Sequence, residues 1–241
     1  MRRLLPLAAV ITFVAAFEVS GLVLPTPSVI AGDDPDPLMK RLSDRTTQGW
    51  RDDRLPLPEL ERRFEHGERL YVTCGTVSRL AQRLLAAEGI ESRVVTTLTR
   101  QAFNRSDDGH TMIEARTREG WVLFDIGTNR VAVDPSGNRI GFLEQIHAGR
   151  DRHWKLLAND RLIDFRGLQA EDFRGLQAEA DLYQRDLRLW YQRVLGTPMI
   201  ETAPGSGEYA FHDSPQRERV ESYSPSYRWA SEAEWSRLTT G

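Results

Sequence analysis

Between residues 74 and 88 the apolar positions recur as they do on one face of a helix. Ala81, Leu84 and Leu85 follow Val77 at i+4, i+7 and i+8. Gly89 stands where a helix C-terminal glycine belongs, so the spacing predicts a helix over 74–88. The pattern then changes. Residues 93–99 (RVVTTLT) are rich in β-branched side chains and read as a strand. A polar loop, 104–109 (NRSDDG), leads into 110–116, where Met112 and Glu114 alternate as in a second strand. Glu119-Gly120 supplies a hairpin turn, 121–126 a third strand and 131–133 a fourth. A helix followed by an antiparallel meander predicts an α+β fold, with the helix packed on the sheet.

The flanks are less regular. Residues 38–50 fit a short amphipathic helix, Pro56 and Pro58 break the chain, and 59–68 read as a charged helix. The octapeptide DFRGLQAE occurs twice in succession, at 164–171 and 172–179. Two copies are too few for a repeat architecture and read as a tandem duplication lengthening a helix or a loop. Residues 179–195 again look helical, with Leu182, Leu189 and Trp190 among charges. From 201 onward the chain reads as an irregular arm until 230–238. Its aromatics (Tyr223, Tyr227, Trp229, Trp235) are expected to pack on their own domain, with a protein partner as the other use. The expected division is an N-terminal address at 1–31, a core at 32–150 and a helical extension with an aromatic tail at 151–241.

The address is read from Arg2 and Arg3, which precede an uncharged run of 14 residues, 4–17. That is the length of a signal-peptide apolar region and short for a membrane span. Extended past Glu18 to Leu24, the same run could serve as an uncleaved membrane anchor. Val29-Ile30-Ala31 fits a small-residue cleavage site. Either alternative predicts an extracytoplasmic body, in the periplasm or at the cell envelope.

Composition narrows the classes. Apolar residues make up 40% and charged residues 28%, which excludes a disordered chain and a multi-span membrane protein. With 32 basic against 35 acidic residues, the net charge of -3 leaves no electrostatic footprint for nucleic acid. No cofactor, metal cluster or phosphate-binding glycine loop is expected. Histidines 147 and 153 are too little for a metal site, and Asp33, Asp34 and Asp36 read as a solvated linker.

One cysteine means no intrachain disulfide. Its placement carries the chemistry. Cys74 opens the most regular helix, where unpaired backbone N–H groups favour a thiolate and can hold an oxyanion. Gly75 beside it leaves room for a substrate backbone to approach. His110 differs from the other four histidines because it begins a strand directly after a polar loop. Asp125 ends the strand paired with it, so the two should be neighbours. Counted from the turn the register is imperfect, and a longer first strand or a bulge must make up the difference. A thiolate, an imidazole that moves its proton, and a carboxylate that orients the imidazole form an acyl-transfer set.

The stretch from Thr73 to Asp134 resembles the core of the transglutaminase-like superfamily of papain-like thiol enzymes. The matching pieces are CGTVSRLAQRLLAAEGIESRVV from Cys74, DGHTMIEA from Asp108 and GWVLFDIGTNR from Gly120. The resemblance implies Cys74 as nucleophile, His110 as base and Asp125 as orienting acid. The family's second oxyanion donor lies upstream, and Gln48 is the candidate. Thr73 and Trp121 are expected to shape the site. The implied activity is an exported peptidase or amidase acting on amide bonds of peptides or proteins, ahead of a cross-linking transferase. Two other readings stay open: a catalytically silent binding or assembly module at the bacterial envelope, with residues 4–24 giving membrane association, and a redox-sensing thiol.

Overall fold

The strand at Ser92–Leu98 is buried at all seven positions, so the sheet it belongs to must be covered on both faces. The computed structural model describes residues 34–98, 109–148 and 152–158, with 191, 195, 198–202, 208–211, 220 and 227–240. In chain order the elements are α1 (Asp36–Arg45), β1 (Thr46–Gln48), α2 (Leu57–Glu65), β2 (Leu70–Val72), α3 (Cys74–Ala87), β3 (Ser92–Leu98), β4 (Gly109–Thr117), β5 (Gly120–Asp125) and β6 (Arg130–Val133). They continue with α4 (Phe142–His147), β7 (His153–Leu156), β8 (Pro198–Glu201), β9 (Glu208–Phe211), β10 (Arg228–Ala230) and α5 (Glu232–Thr240).

Eight strands form one mixed sheet in the order β10-β9-β8-β3-β4-β5-β6-β7. Every pairing is antiparallel except β9 with β10. Side chains on successive strand residues point to opposite faces, and the two cores follow that alternation. Val94, Ile113, Ala115, Val122 and Phe124 join the layer of α1, α2 and α3. Val95, Met112, Leu123 and Ala132 pack on the other face with Phe142 and Tyr191. The fold is α+β, as the patterning predicts.

The helix at α3 is built as its spacing indicates. Val77, Leu80, Ala81, Leu84 and Leu85 are its buried stripe, and each fully buried leucine contributes roughly 1.5–3 kcal/mol. Thr73 caps its N-terminus by accepting a hydrogen bond from the Thr76 N–H at 3.4 Å. Gly89, at φ 73°, turns the chain out of it.

Several expectations are corrected. The helix expected over 38–50 stops at Arg45, because the β-branched pair Thr46-Thr47 enters a short strand. The hairpin loop is Arg118-Glu119, with Gly120 already the first residue of β5. The described residues of 151–241 add strands to the same sheet. β7 extends one edge of the sheet, and β8, β9 and β10 extend the other. The expected N-terminal address, the duplicated octapeptide, residues 104–108 of the expected loop and all but Tyr191 and Leu195 of the 179–195 stretch lie outside the described residues. Among the described residues no helix is long and apolar enough to cross a membrane.

Candidate functional site

Three elements converge at one end of the sheet. β2 runs straight into α3 through Thr73 and sets Cys74 as the first helical residue. The entry is fastened by two neighbouring carboxylates. Asp52 accepts from the Tyr71 N–H at 2.8 Å, and Asp53 from the Thr73 N–H at 2.9 Å. Asp52 is itself buried. The strand before the cysteine is therefore fixed by side-chain acceptors as well as by its pairing with β1. Cys74 is half-buried.

His110 comes from β4 and Asp125 from the end of β5. The β4–β5 pairing runs without interruption from Thr117↔Gly120 to Ile113↔Phe124. Extended by one step, it sets Asp125 opposite Met112, two residues from His110. No bulge closes that gap. β4 is longer than β5, nine residues against six, and the two side chains meet along the diagonal, which long polar side chains can span. His110 Nε2 lies 2.7 Å from Asp125 Oδ2, and both residues are buried. His110 also makes a side-chain hydrogen bond with Cys74. With Nε2 taken by the carboxylate, Nδ1 is the ring nitrogen left to face the sulfur.

Burial opposes a charged imidazole, but the Asp125 carboxylate, with help from Cys74, outweighs it and raises the His110 pKa well above 6.5. Burial likewise pushes Asp125 up, yet the imidazole and the hydrogen bonds from Thr128 and Tyr191 hold it below 3.8. The pair is thus an imidazolium facing a carboxylate, with the Cys74 side chain beside it.

The turn after β5 supports this carboxylate. Asn129 adopts a left-handed backbone, φ 59°, a conformation that asparagine tolerates better than most residues. Its side-chain oxygen accepts from the Ser43 hydroxyl and from the Ala158 N–H, both at 2.9 Å. The Thr128 N–H reaches Asp125 Oδ1 at 3.3 Å.

Gln48 arrives by a different route. β1 pairs in parallel with β2, Gln48 opposite Val72. A methyl group placed on Gly127 would lie 3.7 Å from Asp125 Oδ1, 3.8 Å from Cys74 Cβ and 3.9 Å from Gln48 Oε1. Gln48, Cys74 and Asp125 therefore surround one point. Gly75 is next to the thiol, and a methyl group there would meet Arg79 Nη1 at 3.5 Å and Thr111 Oγ1 at 3.8 Å, which is ordinary contact.

Trp121 does not join them. It begins β5, four residues from Asp125, which is about 13 Å along a strand. Its ring lies under the Arg93 guanidinium, 4.1 Å from the centroid. Arg93 pairs with the fully buried Glu114 and donates to the Leu238 and Thr239 carbonyls at the end of α5. Burial raises the Glu114 pKa against the opposing pull of Arg93. Trp121 belongs to a structural junction between the sheet and the C-terminal helix, not to the cysteine site.

Tyr191 and Thr128 are the site residues that the sequence reading missed. The Tyr191 hydroxyl donates to Asp125 Oδ2 at 2.9 Å and lies 2.8 Å from Thr128 Oγ1. The one available signal was an aromatic pair, Trp190-Tyr191, set among charges. Among the described residues, no group of histidine, cysteine and carboxylate side chains could hold a metal ion.

A family profile described as the transglutaminase-like superfamily matches residues 63–126. Over that span the chain is similar to transglutaminase-like domains, which is compatible with a thiol enzyme. The span includes Cys74, His110 and Asp125, while Gln48 and Tyr191 fall outside it. No match was found among curated proteins.

Proposed function

We propose that the protein is a thiol acyl-transfer enzyme that opens amide bonds of peptides or proteins, with Cys74 as nucleophile, His110 as acid and base, and Asp125 as the orienting carboxylate. The observation that carries this reading is the 2.7 Å contact of His110 Nε2 with Asp125 Oδ2, in an imidazole that also hydrogen-bonds Cys74. A carboxylate on Nε2 fixes the ring and keeps it cationic, which holds a thiolate at Cys74 ready to attack. The thiolate adds to the amide carbonyl. The His110 proton passes to the departing amine, and a thioester remains. His110, now neutral, takes a proton from water, the hydroxide adds to the thioester, the acid departs, and the thiolate–imidazolium pair is restored. The backbone N–H groups opening α3 and the Gln48 side-chain amide are the oxyanion donors in this scheme. Water is the favoured acceptor, giving a peptidase or amidase in place of a cross-linker. An extracytoplasmic setting is part of the proposal and rests on the apolar run at 4–24. Sequencing the N-terminus of the protein recovered from fractionated cells tests it.

The chemical core is tested with p-nitrophenyl acetate, whose acyl group needs no specific pocket. The expected result is a burst of p-nitrophenol, with one acetyl mass on the Cys74 peptide, absent in Cys74→Ser and His110→Ala. Methylamine at increasing concentration then reports the acceptor, with little N-methylacetamide expected beside acetate. Absence of acylation, together with equal iodoacetamide reactivity in wild type and His110→Ala, would reject the enzyme reading in favour of a binding module.

A further inference from the structure

We propose that Tyr191 is a positioning residue for this site, and that a part of the chain beyond the family-matched span thereby completes it. The proposal rests on the catalytic reading above. An ionised carboxylate can only accept hydrogen bonds, so the direction of the contact is set. Tyr191 O–H donates to Asp125 Oδ2, the same oxygen that faces His110 Nε2. The Thr128 hydroxyl lies 2.8 Å from the tyrosine oxygen, and the Thr128 side chain hydrogen-bonds Asp125. Thr128 also sends its backbone N–H to Asp125 Oδ1. Both carboxylate oxygens are thus held, and the carboxylate plane cannot turn away from the imidazole without breaking a buried hydrogen bond.

The tyrosine is itself immobilised. It is fully buried, and its ring stacks on Trp154 of β7, with centroids 4.0 Å apart and planes 11° apart. Sixty-six residues separate it from Asp125. A buried hydroxyl aimed at a carboxylate is costly to bring into a core unless it is paired. In a purely structural core a phenylalanine would serve equally well against Trp154. The hydroxyl makes sense as a donor that fixes the carboxylate, and through it the ring of His110.

The test is the rate of Cys74 alkylation by iodoacetamide in the full chain, read in a double-mutant cycle. Tyr191→Phe keeps the ring and removes only the donor. The expected result is a fall of about tenfold, the size that loss of a hydrogen bond to a charged group predicts, with the circular dichroism spectrum unchanged. In an Asp125→Asn background the same substitution should bring no further fall, because the group it acts through is already neutral. The His110 Nε2 proton resonance should be protected in wild type and should broaden or vanish in Tyr191→Phe. A wild-type rate in Tyr191→Phe, alongside slow His110→Ala and Asp125→Asn variants, overturns the proposal and leaves the enzyme reading standing. A full additive fall in the Asp125→Asn background overturns it too, since a merely structural tyrosine would behave that way. Wild-type rates in His110→Ala and Asp125→Asn sink the enzyme reading, and the positioning role with it. If Tyr191→Phe does not fold, Trp154→Leu removes the ring that holds Tyr191 in place. It should slow alkylation about threefold, and only when Asp125 is present; a wild-type rate there counts against the proposal.

Discussion

Gln48 and Val72 are register partners in the parallel β1–β2 pair, and Val72 is two residues from Cys74. A three-residue strand thus brings a side-chain amide to the surroundings of Cys74, both flanking Gly127, from a part of the chain 26 residues upstream. The ladder is extended by the Gly49 N–H, which donates to the Val72 carbonyl at 3.2 Å. The Asp52 N–H donates to the Tyr71 carbonyl at 3.0 Å. The amide is therefore placed by backbone pairing and not by a mobile loop.

That placement separates two steps of the proposed chemistry. An oxyanion donor acts on the tetrahedral intermediate and not on the resting thiolate. Gln48→Ala should therefore lower acylation by p-nitrophenyl acetate by about 10²-fold, while iodoacetamide alkylation of Cys74 stays at the wild-type rate. Equal losses in both assays would assign Gln48 to packing around the thiol.

The His110–Asp125 pair makes a prediction about stability against pH. Asp125 is held below 3.8, so its contribution is present above that value and is lost as pH falls through the lowered one. His110 is held well above 6.5, so its contribution is full below 6.5 and is lost as pH rises through the raised value. The two windows overlap between 3.8 and 6.5. The unfolding free energy of wild type minus that of His110→Gln, from urea melts, should be largest in that interval and shrink on both sides. A difference that stays constant from acid to alkaline pH would remove the imidazolium–carboxylate description.

How much of this could be read from the sequence differs element by element. α3 and the meander β3–β6 were legible because their patterns are local. The apolar stripe of α3 lies within one helix, and the run Val94-Val95-Thr96-Thr97 is β-branched wherever it packs. Cys74, His110 and Asp125 could be placed for the same reason, since a helix start, a strand start and a strand end are local features. β1 and β2 were missed because three residues carry no periodicity, and their parallel pairing joins segments 24 residues apart. β8 was missed because it sits beside β3 only in the folded sheet, Val95 opposite Ile200. Trp121, expected to shape the site, packs under Arg93 instead, four residues of extended strand away from Asp125. Tyr191 carried no signal beyond its aromatic character, since a tyrosine becomes a carboxylate donor only through contacts that the fold creates.

The junction under Trp121 predicts a stability effect distant from the thiol. Arg93 is almost fully buried beside Glu114 and is the link from β3 to the last carbonyls of α5. Arg93→Met leaves Glu114 without its cation, and breaking one side of a buried pair costs about 3–5 kcal/mol. Glu114→Gln, which keeps an acceptor for the Phe142 N–H and for Arg93, should cost less. Urea denaturation of the two variants checks the order. Alkylation of Cys74 in folded Arg93→Met should remain near the wild-type rate, because the junction lies at the opposite end of β5.

The turn at Asn129 couples stability to the site in a way that the Arg93 junction does not. Its left-handed backbone suits asparagine or glycine, and its side-chain oxygen ties the Ser43 hydroxyl of α1 and the Ala158 N–H after β7 to the residues that follow Asp125. Asn129→Ala adds backbone strain of about 1–2 kcal/mol and removes both acceptor contacts, so a total loss of about 2–4 kcal/mol is expected. Asn129→Gly relieves the strain and still loses the contacts, so it should fall between Ala and wild type. If the turn serves to hold Asp125, alkylation of Cys74 should slow in both variants under conditions where each is fully folded. Glycine, which frees the turn, should slow it at least as much as alanine. A glycine variant that is destabilised yet alkylates at the wild-type rate would restrict the role of Asn129 to tying α1 and β7 to the turn.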